Sequence, residues 1–232
     1  MKRNVYGLVL ALLALSAPAF AQPDAQDEGN PANWCRGGPF TGEGVEYKLA
    51  RAVGRKGARV YFHGDDGEGC PGPTCRLRSY LVPGDQVIVA RSFGDWLCAW
   101  YQPARGPETV GWIKAHELSV AEPERDPPAA RWEGEWGYYE NGLSVRREAR
   151  TGRLSVSGNA SWRGANPGQV NVGAFEAKGA PAGGVLKLGD DTCRVTLWLV
   201  GPYLLAEDNK QCGGFNVTFD GVYRRRPPRR KR

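Results

Sequence analysis

No stretch of this chain runs far before a turn-forming residue interrupts it. Gly fills 32 and Pro 17 of the 232 positions. In the second half, turn signals such as Glu140-Asn141-Gly142, Asn166-Pro167-Gly168 and Gly189-Asp190-Asp191 recur at about eight- to twelve-residue spacing. Strong helix formers never run long, so a mostly helical fold is excluded. The pieces between turns are short and rich in β-branched and aromatic residues, which reads as antiparallel strands. Eight Trp, nine Tyr and seven Phe also exclude a wholly disordered chain. The length suits one large domain or two small ones.

The first residues read as an address. Lys2 and Arg3 precede an apolar run from Val5 to Ala17 and an Ala19-Phe20-Ala21 site. That is the pattern of a secretory signal peptide, residues 1–21, cleaved after Ala21. The run falls short of the roughly 20 residues a membrane span needs. The expected product is periplasmic or secreted, with no transmembrane segment after cleavage.

Export changes the reading of the six cysteines. An even number in an oxidising compartment favours disulfides, and with only His63 and His116 present, metal binding is not expected. Cys193–Cys212 is the expected C-terminal bridge, on two sides of one apparent hairpin. Closing such a loop stabilises by about 3 kcal/mol in the chain-entropy model. Cys35, Cys70, Cys75 and Cys98 allow three pairings, of which Cys70–Cys75 with Cys35–Cys98 is favoured.

Residues 22–43 are a polar N-terminal segment. From residue 44 to 121 come the strand-like runs YKLARAV, ARVYFH, RSYLV, QVIVARS, WLCAWY and VGWIK. Trp96, Cys98 and Trp100 should face one way and Leu97, Ala99 and Tyr101 the other. Five or six such strands suggest a small barrel. Residues 122–130, with three prolines, read as a linker. Residues 131–224 carry seven or eight further strands, which suggests a second antiparallel barrel or sandwich. The expected class is therefore all-β: a small barrel followed by a disulfide-stapled β-barrel or sandwich.

Several of these residues carry a resemblance. Tyr61-Phe62, Ser79-Tyr80-Leu81-Val82-Pro83-Gly84-Asp85 leading into Val87-Ile88-Val89, Gly94-Asp95-Trp96 and Gly111-Trp112-Ile113 stand in an order similar to bacterial SH3-like (SH3b) domains. The similarity spans Tyr47 to Val120, and Cys70 and Cys75 in the loop before Arg76 depart from it. It implies an SH3-like barrel binding cell-wall peptide or short protein ligands in an aromatic groove, with Tyr61, Tyr80, Trp96 and Trp112 as candidates. The competing reading makes Trp96 and Trp112 packing residues of a small barrel. In the second half, Gly134-Glu135-Trp136 resembles the start of lipocalin-like barrels, where a Trp plugs one end. Cys193 through Phe219 with Gly221-Val222-Tyr223 resembles an uncharacterised extracytoplasmic bacterial domain, which implies no activity.

No catalytic set is expected. The chain lacks G-x-S-x-G and H-E-x-x-H motifs, and all six cysteines have a plausible partner. Asp65-Asp66-Gly67-Glu68 and Asp190-Asp191 read as turn residues. No cofactor is expected.

Arg224, Arg225, Arg226, Arg229, Arg230, Lys231 and Arg232 form a basic end, with residues 225–232 as its tail. Such a tail suits an anionic surface. The formal charge is +6 for the whole chain, but residues 22–223 carry 22 basic and 25 acidic side chains, a net of −3. Nucleic-acid binding by the folded body is therefore not expected. The function expected is recognition of cell-wall peptide or an envelope protein by an exported, non-enzymatic binding protein. Two alternatives are an inhibitor or immunity-type protein that blocks a lysozyme-like hydrolase, and a wall-modifying enzyme with an unrecognised site.

Overall fold

A computed structural model describes residues 33–42, 44–166 and 168–227. The expected signal segment, and Arg229, Arg230, Lys231 and Arg232 of the basic tail, lie outside the described residues. The fold is all-β and consists of two antiparallel sheets.

The first sheet contains β1 (Lys48–Ala52), β2 (Val60–His63), β3 (Arg76–Leu81), β4 (Gln86–Phe93), β5 (Trp96–Tyr101), β6 (Thr109–Lys114) and β7 (Leu118–Val120). Their order is β3-β2-β6-β5-β4-β1-β7. The short β7 is the strand by which this sheet exceeds the five or six expected. Alternation sends Val60, Phe62, Leu81, Val87, Val89, Ala99 and Ile113 to one face, where they pack together as the inner core.

Strand β5 departs from simple in-out alternation because both of its faces are covered. Leu97, Ala99 and Tyr101 meet the inner core, while Trp96, Cys98 and Trp100 belong to a separate cluster on the outer face. A near-continuous apolar run such as WLCAWY fits a strand buried on both sides.

The second sheet follows a short helix, α1 (Ala129–Trp132). It contains β8 (Gly134–Tyr138), β9 (Asn141–Arg147), β10 (Leu154–Arg163), β11 (Val170–Gly179), β12 (Val185–Gly189), β13 (Arg194–Val200), β14 (Tyr203–Asp208) and β15 (Gly221–Arg225). Successive strands pair in a meander, and the last strand, β15, pairs with the first, β8. Strand β11 lies against β12 without a hydrogen-bonded ladder, so the barrel is nearly closed. Its interior is filled by Trp136, Leu143, Leu154, Leu186, Leu197, Leu204, Phe219 and Tyr223. The indole N–H of Trp136 donates to the Trp132 carbonyl at 2.9 Å, which ties α1 to the barrel interior.

Three disulfides are formed: Cys35–Cys98, Cys70–Cys75 and Cys193–Cys212. The first fastens the segment before β1 to the outer face of β5. The second staples the β2–β3 loop. The third joins the start of β13 to the loop after β14.

The linker is not the only tie between the sheets. Val200, Tyr203, Leu205 and Val222 of the second barrel pack in one cluster with Ile88, Cys98, Trp100 and Trp112 of the first sheet. Trp100 meets Tyr203 edge-on at 5.3 Å, and Tyr47 meets Trp198 at 5.2 Å. The Glu108 carboxylate spans the junction, accepting from the Trp100 indole at 2.9 Å and from the Tyr138 hydroxyl at 3.1 Å. Linker residue Glu124 pairs with Arg131 at 2.6 Å, and Arg131 also donates to the Gly201 carbonyl at 2.7 Å.

The basic end is partly structural. Arg224 and Arg225 complete β15, and the Arg226 backbone N–H donates to the Glu135 carbonyl at 2.7 Å. The Arg225 guanidinium lies over the Trp136 ring at 4.4 Å and donates to the carbonyls of Arg131 and Glu133 at the end of α1. Those carbonyls have no intrahelical partner, so a cation there is well placed. The Arg226 guanidinium crosses Gly137 to reach the Asn141 carbonyl at 2.9 Å. A Cβ on Gly137 would sit 2.1 Å from Arg226 Nε, so only glycine lets the arginine pass. Arg225 and Arg226 thus hold the second barrel together rather than belonging to a free tail.

Candidate surface on the first sheet

The outer face of the first sheet divides into two halves. Over β4, β5 and β6 it is covered by residues 33–42 and by the second barrel. Over β2 and β3 it is open. Strand β3 sits at the end of the sheet, and its alternation puts Arg76, Arg78 and Tyr80 outward and leaves Leu77 and Leu81 against the inner core.

The four candidate aromatics do not form one groove. Tyr61 and Tyr80 stand directly opposite each other in the β2–β3 ladder, with ring centroids 5.8 Å apart. Tyr61 is half-buried and Tyr80 is 40% exposed. Trp112 is buried completely and Trp96 is 8% exposed, because both lie in the junction cluster. Their neighbours are packing neighbours: Trp112 meets the Phe93 ring at 6.3 Å, and Trp96 meets His63 at 4.7 Å. The packing alternative therefore describes Trp96 and Trp112, and the accessible aromatic pair is Tyr61–Tyr80.

Cations frame that pair. The Arg59 guanidinium lies 4.5 Å from the Tyr80 centroid and the Arg76 guanidinium 4.6 Å from that of Tyr61. A row of Arg59, Tyr80, Tyr61 and Arg76 results, with exposed Arg78 beside it. Further along the same face, Lys114 stands 4.8 Å above the Trp96 ring. A hydrogen bond to Tyr61 raises the proton affinity of Arg59, and the phenols of Tyr80 and Tyr61 add to it. Among the described residues, Arg59, Arg76, Arg78 and Lys114 have no carboxylate within ion-pair distance. The row presents flat apolar rings for stacking and forked donors for carboxylates.

Arginine at alternate positions of β3 was the available signal for this row, since R-x-R-x-Y cannot be an inward-facing stripe. Arg59 and Arg76 carry no such signal alone, because their role depends on which ring each one crosses.

His63 is half-buried at the end of β2, and its Nδ1 lies 2.7 Å from the Gly72 carbonyl. Asp65 differs more from its reading as a turn residue, since it is only 2% exposed. Among the described residues, no group of His, Cys, Asp and Glu could hold a metal ion.

No family model, curated protein or solved structure matches this chain. Its three disulfides belong to a non-reducing, extracytoplasmic environment. Among the described residues, no helix is long and apolar enough to cross a membrane.

Proposed function

We propose that this chain is a periplasmic or secreted, non-enzymatic binding protein of the cell envelope. Its ligand surface is the open half of the outer face of an SH3-like first sheet, and its ligand is cell-wall peptide. One observation carries this reading. The Tyr61–Tyr80 pair stands between Arg59 and Arg76, accessible, with cations that have no carboxylate partner among the described residues. Cell-wall peptides are short, extended and rich in carboxylates. Amide planes stack on tyrosine rings, and arginine forks hold carboxylates in two-pronged hydrogen bonds.

Co-sedimentation with purified peptidoglycan tests this. The mature protein should pellet with the wall at low salt and to a lesser extent at high salt, since exposed charge pairs are screened. The Tyr61→Ala/Tyr80→Ala variant, with its inner core intact, should remain in the supernatant. Wild-type protein that stays in the supernatant at every salt concentration overturns the reading, as does a variant that pellets as well as wild type.

A further inference from the structure

The two sheets enclose a cleft of about 1170 Å³ at the opposite pole of the molecule's charge. One wall is residues 33–42, a second is the stapled loop after β2, and the third comes from the second barrel. The stapled loop contributes Asp65, Asp66 and Glu68, and the second barrel contributes Glu207 and Asp220. The cations in the wall are Arg91 and Lys210. Arg91 donates to the Phe40 carbonyl at 3.1 Å, and Lys210 is held by Asp220 and Asp208. Each is engaged within the protein, which leaves an excess of carboxylate facing the cleft.

An acidic lining alone would describe a solvated surface. Asp65 makes it a site. At 2% exposed, its Oδ2 accepts the Arg36 backbone N–H at 2.5 Å, while its Oδ1 has no hydrogen-bond partner. A buried carboxylate oxygen without a donor is costly, and a donor arriving from the cleft would relieve that cost. The carboxylates are too dispersed for a metal ion, since no grouping among the described residues could hold one. Trp34, 48% exposed, adds an aromatic surface to the wall.

We propose that this cleft receives an arginine side chain presented by a partner protein. A guanidinium carries several N–H donors in a rigid fork, is weakly hydrated, and stacks on indole, so it matches dispersed carboxylates beside a tryptophan better than an ammonium does. The cleft is larger than one side chain, which leaves room for the segment that carries it. This site is separate from the Tyr61–Tyr80 row in position and in sign, so each can fail without the other.

Titration calorimetry of the full chain with acetylated, amidated tri-arginine peptide tests the proposal, with tri-lysine and tri-glutamate peptides alongside. Tri-arginine should bind, tri-lysine should bind more weakly, and tri-glutamate should not bind at the cleft. Asp65→Asn should weaken tri-arginine binding by about tenfold or more, as expected for loss of one partner of a desolvated charge pair. That variant also touches the Arg36 contact. The exposed pair Asp66→Asn/Glu68→Gln therefore provides a second reading, with an expected loss of about threefold to tenfold. Tri-arginine affinity unchanged in the exposed double variant overturns the site. Equal affinity for tri-lysine overturns the guanidinium assignment. Self-association of the chain that tri-arginine competes away would assign the cleft to the basic end of a second copy, and would overturn the partner reading.

Discussion

Two groups of aromatic residues stand on the outer face of the first sheet, and their surroundings differ in kind. Trp96, Trp100 and Trp112 lie beneath residues 33–42 and the second barrel, among Ile88, Tyr203, Leu205 and Val222. Tyr61 and Tyr80 stand a strand or two away on the same face, open to solvent and flanked by guanidinium groups. An aromatic ring on the outside of a small sheet thus has two uses here. Aliphatic and indole neighbours make it part of an internal interface, while arginine neighbours keep water and a ligand within reach. The identity of the neighbours separates the cases, since the rings themselves are alike in size and in strand position.

The sharpest way to break this comparison is to remove a ring from the covered group. Trp100→Ala leaves a cavity between the two sheets and orphans one of the donors to Glu108. Truncating a buried tryptophan costs about 3–5 kcal/mol, so the urea midpoint should fall steeply. If Trp100→Ala shifts the midpoint no more than a surface substitution does, the covered group is not an interface. Replacing Cys35 and Cys98 with Ala comes next. The bridge spans a sequence separation of 63, and such a loop stabilises by about 4 kcal/mol in the chain-entropy model. Limited proteolysis should then cut first within residues 33–42, which this bridge fastens to β5.

How far the sequence foretold these surfaces depends on whether the pattern was local. The all-β class, the alternation of Trp96 to Tyr101 and the opposed Cys193 and Cys212 are properties of neighbouring residues, and alternation or turn chemistry suffices to read them. The burial of Trp96 and Trp112 is not local. It depends on a second barrel about a hundred residues away packing against the outer face, and no periodicity within β5 or β6 names that partner. WLCAWY did carry a clue, since both of its faces are apolar and a single inner core can cover only one. Arg225 and Arg226 are the opposite error. Composition made them tail, but β15 extends through Arg225 and Gly134 and Gly137 clear the way for both guanidinium groups. Asp65 is likewise invisible in advance, since its burial comes from the Arg36 segment folding over a turn that otherwise favours aspartate.

Smaller effects are expected where the junction is polar. Glu108→Gln keeps the shape but offers one acceptor where the carboxylate offered two, so either Trp100 or Tyr138 loses its partner. The loss should be about 1.5–3 kcal/mol, the range for hydrogen bonds to a charged group, and a double-mutant cycle with Tyr138→Phe should show coupling. The junction phenols also give stability a pH dependence. Burial pushes Tyr47 up to about 12 and raises Tyr138 and Tyr203 as well. In the unfolded chain these groups ionise near 10. Folding therefore holds protons that the unfolded chain releases. Their stabilisation is complete below pH 10 and is lost as pH rises through the folded values. The urea midpoint should decline from pH 9.5 upward, and Tyr47→Phe should make that decline shallower. A flat midpoint over this range would remove the junction phenols from the account.

The smallest effect on stability belongs to the open group, and it separates the two uses most cleanly. Tyr80→Ala removes one cross-strand ring pair and one guanidinium contact, each worth under about 1 kcal/mol at an exposed site. Its inner-face neighbours, Ser79 and Leu81, are untouched, so the urea midpoint should barely move. Binding to the wall should nevertheless fall, because the stacking surface and the position of Arg59 both depend on that ring. Tyr80→Phe keeps the ring and should bind nearly as wild type, whereas Tyr80→Leu keeps the bulk without the π face and should not. A Leu variant that binds as well as Phe would mean the row offers only apolar area. In that case the guanidinium contacts would be ordinary surface packing, and the distinction drawn from neighbours would reduce to exposure alone.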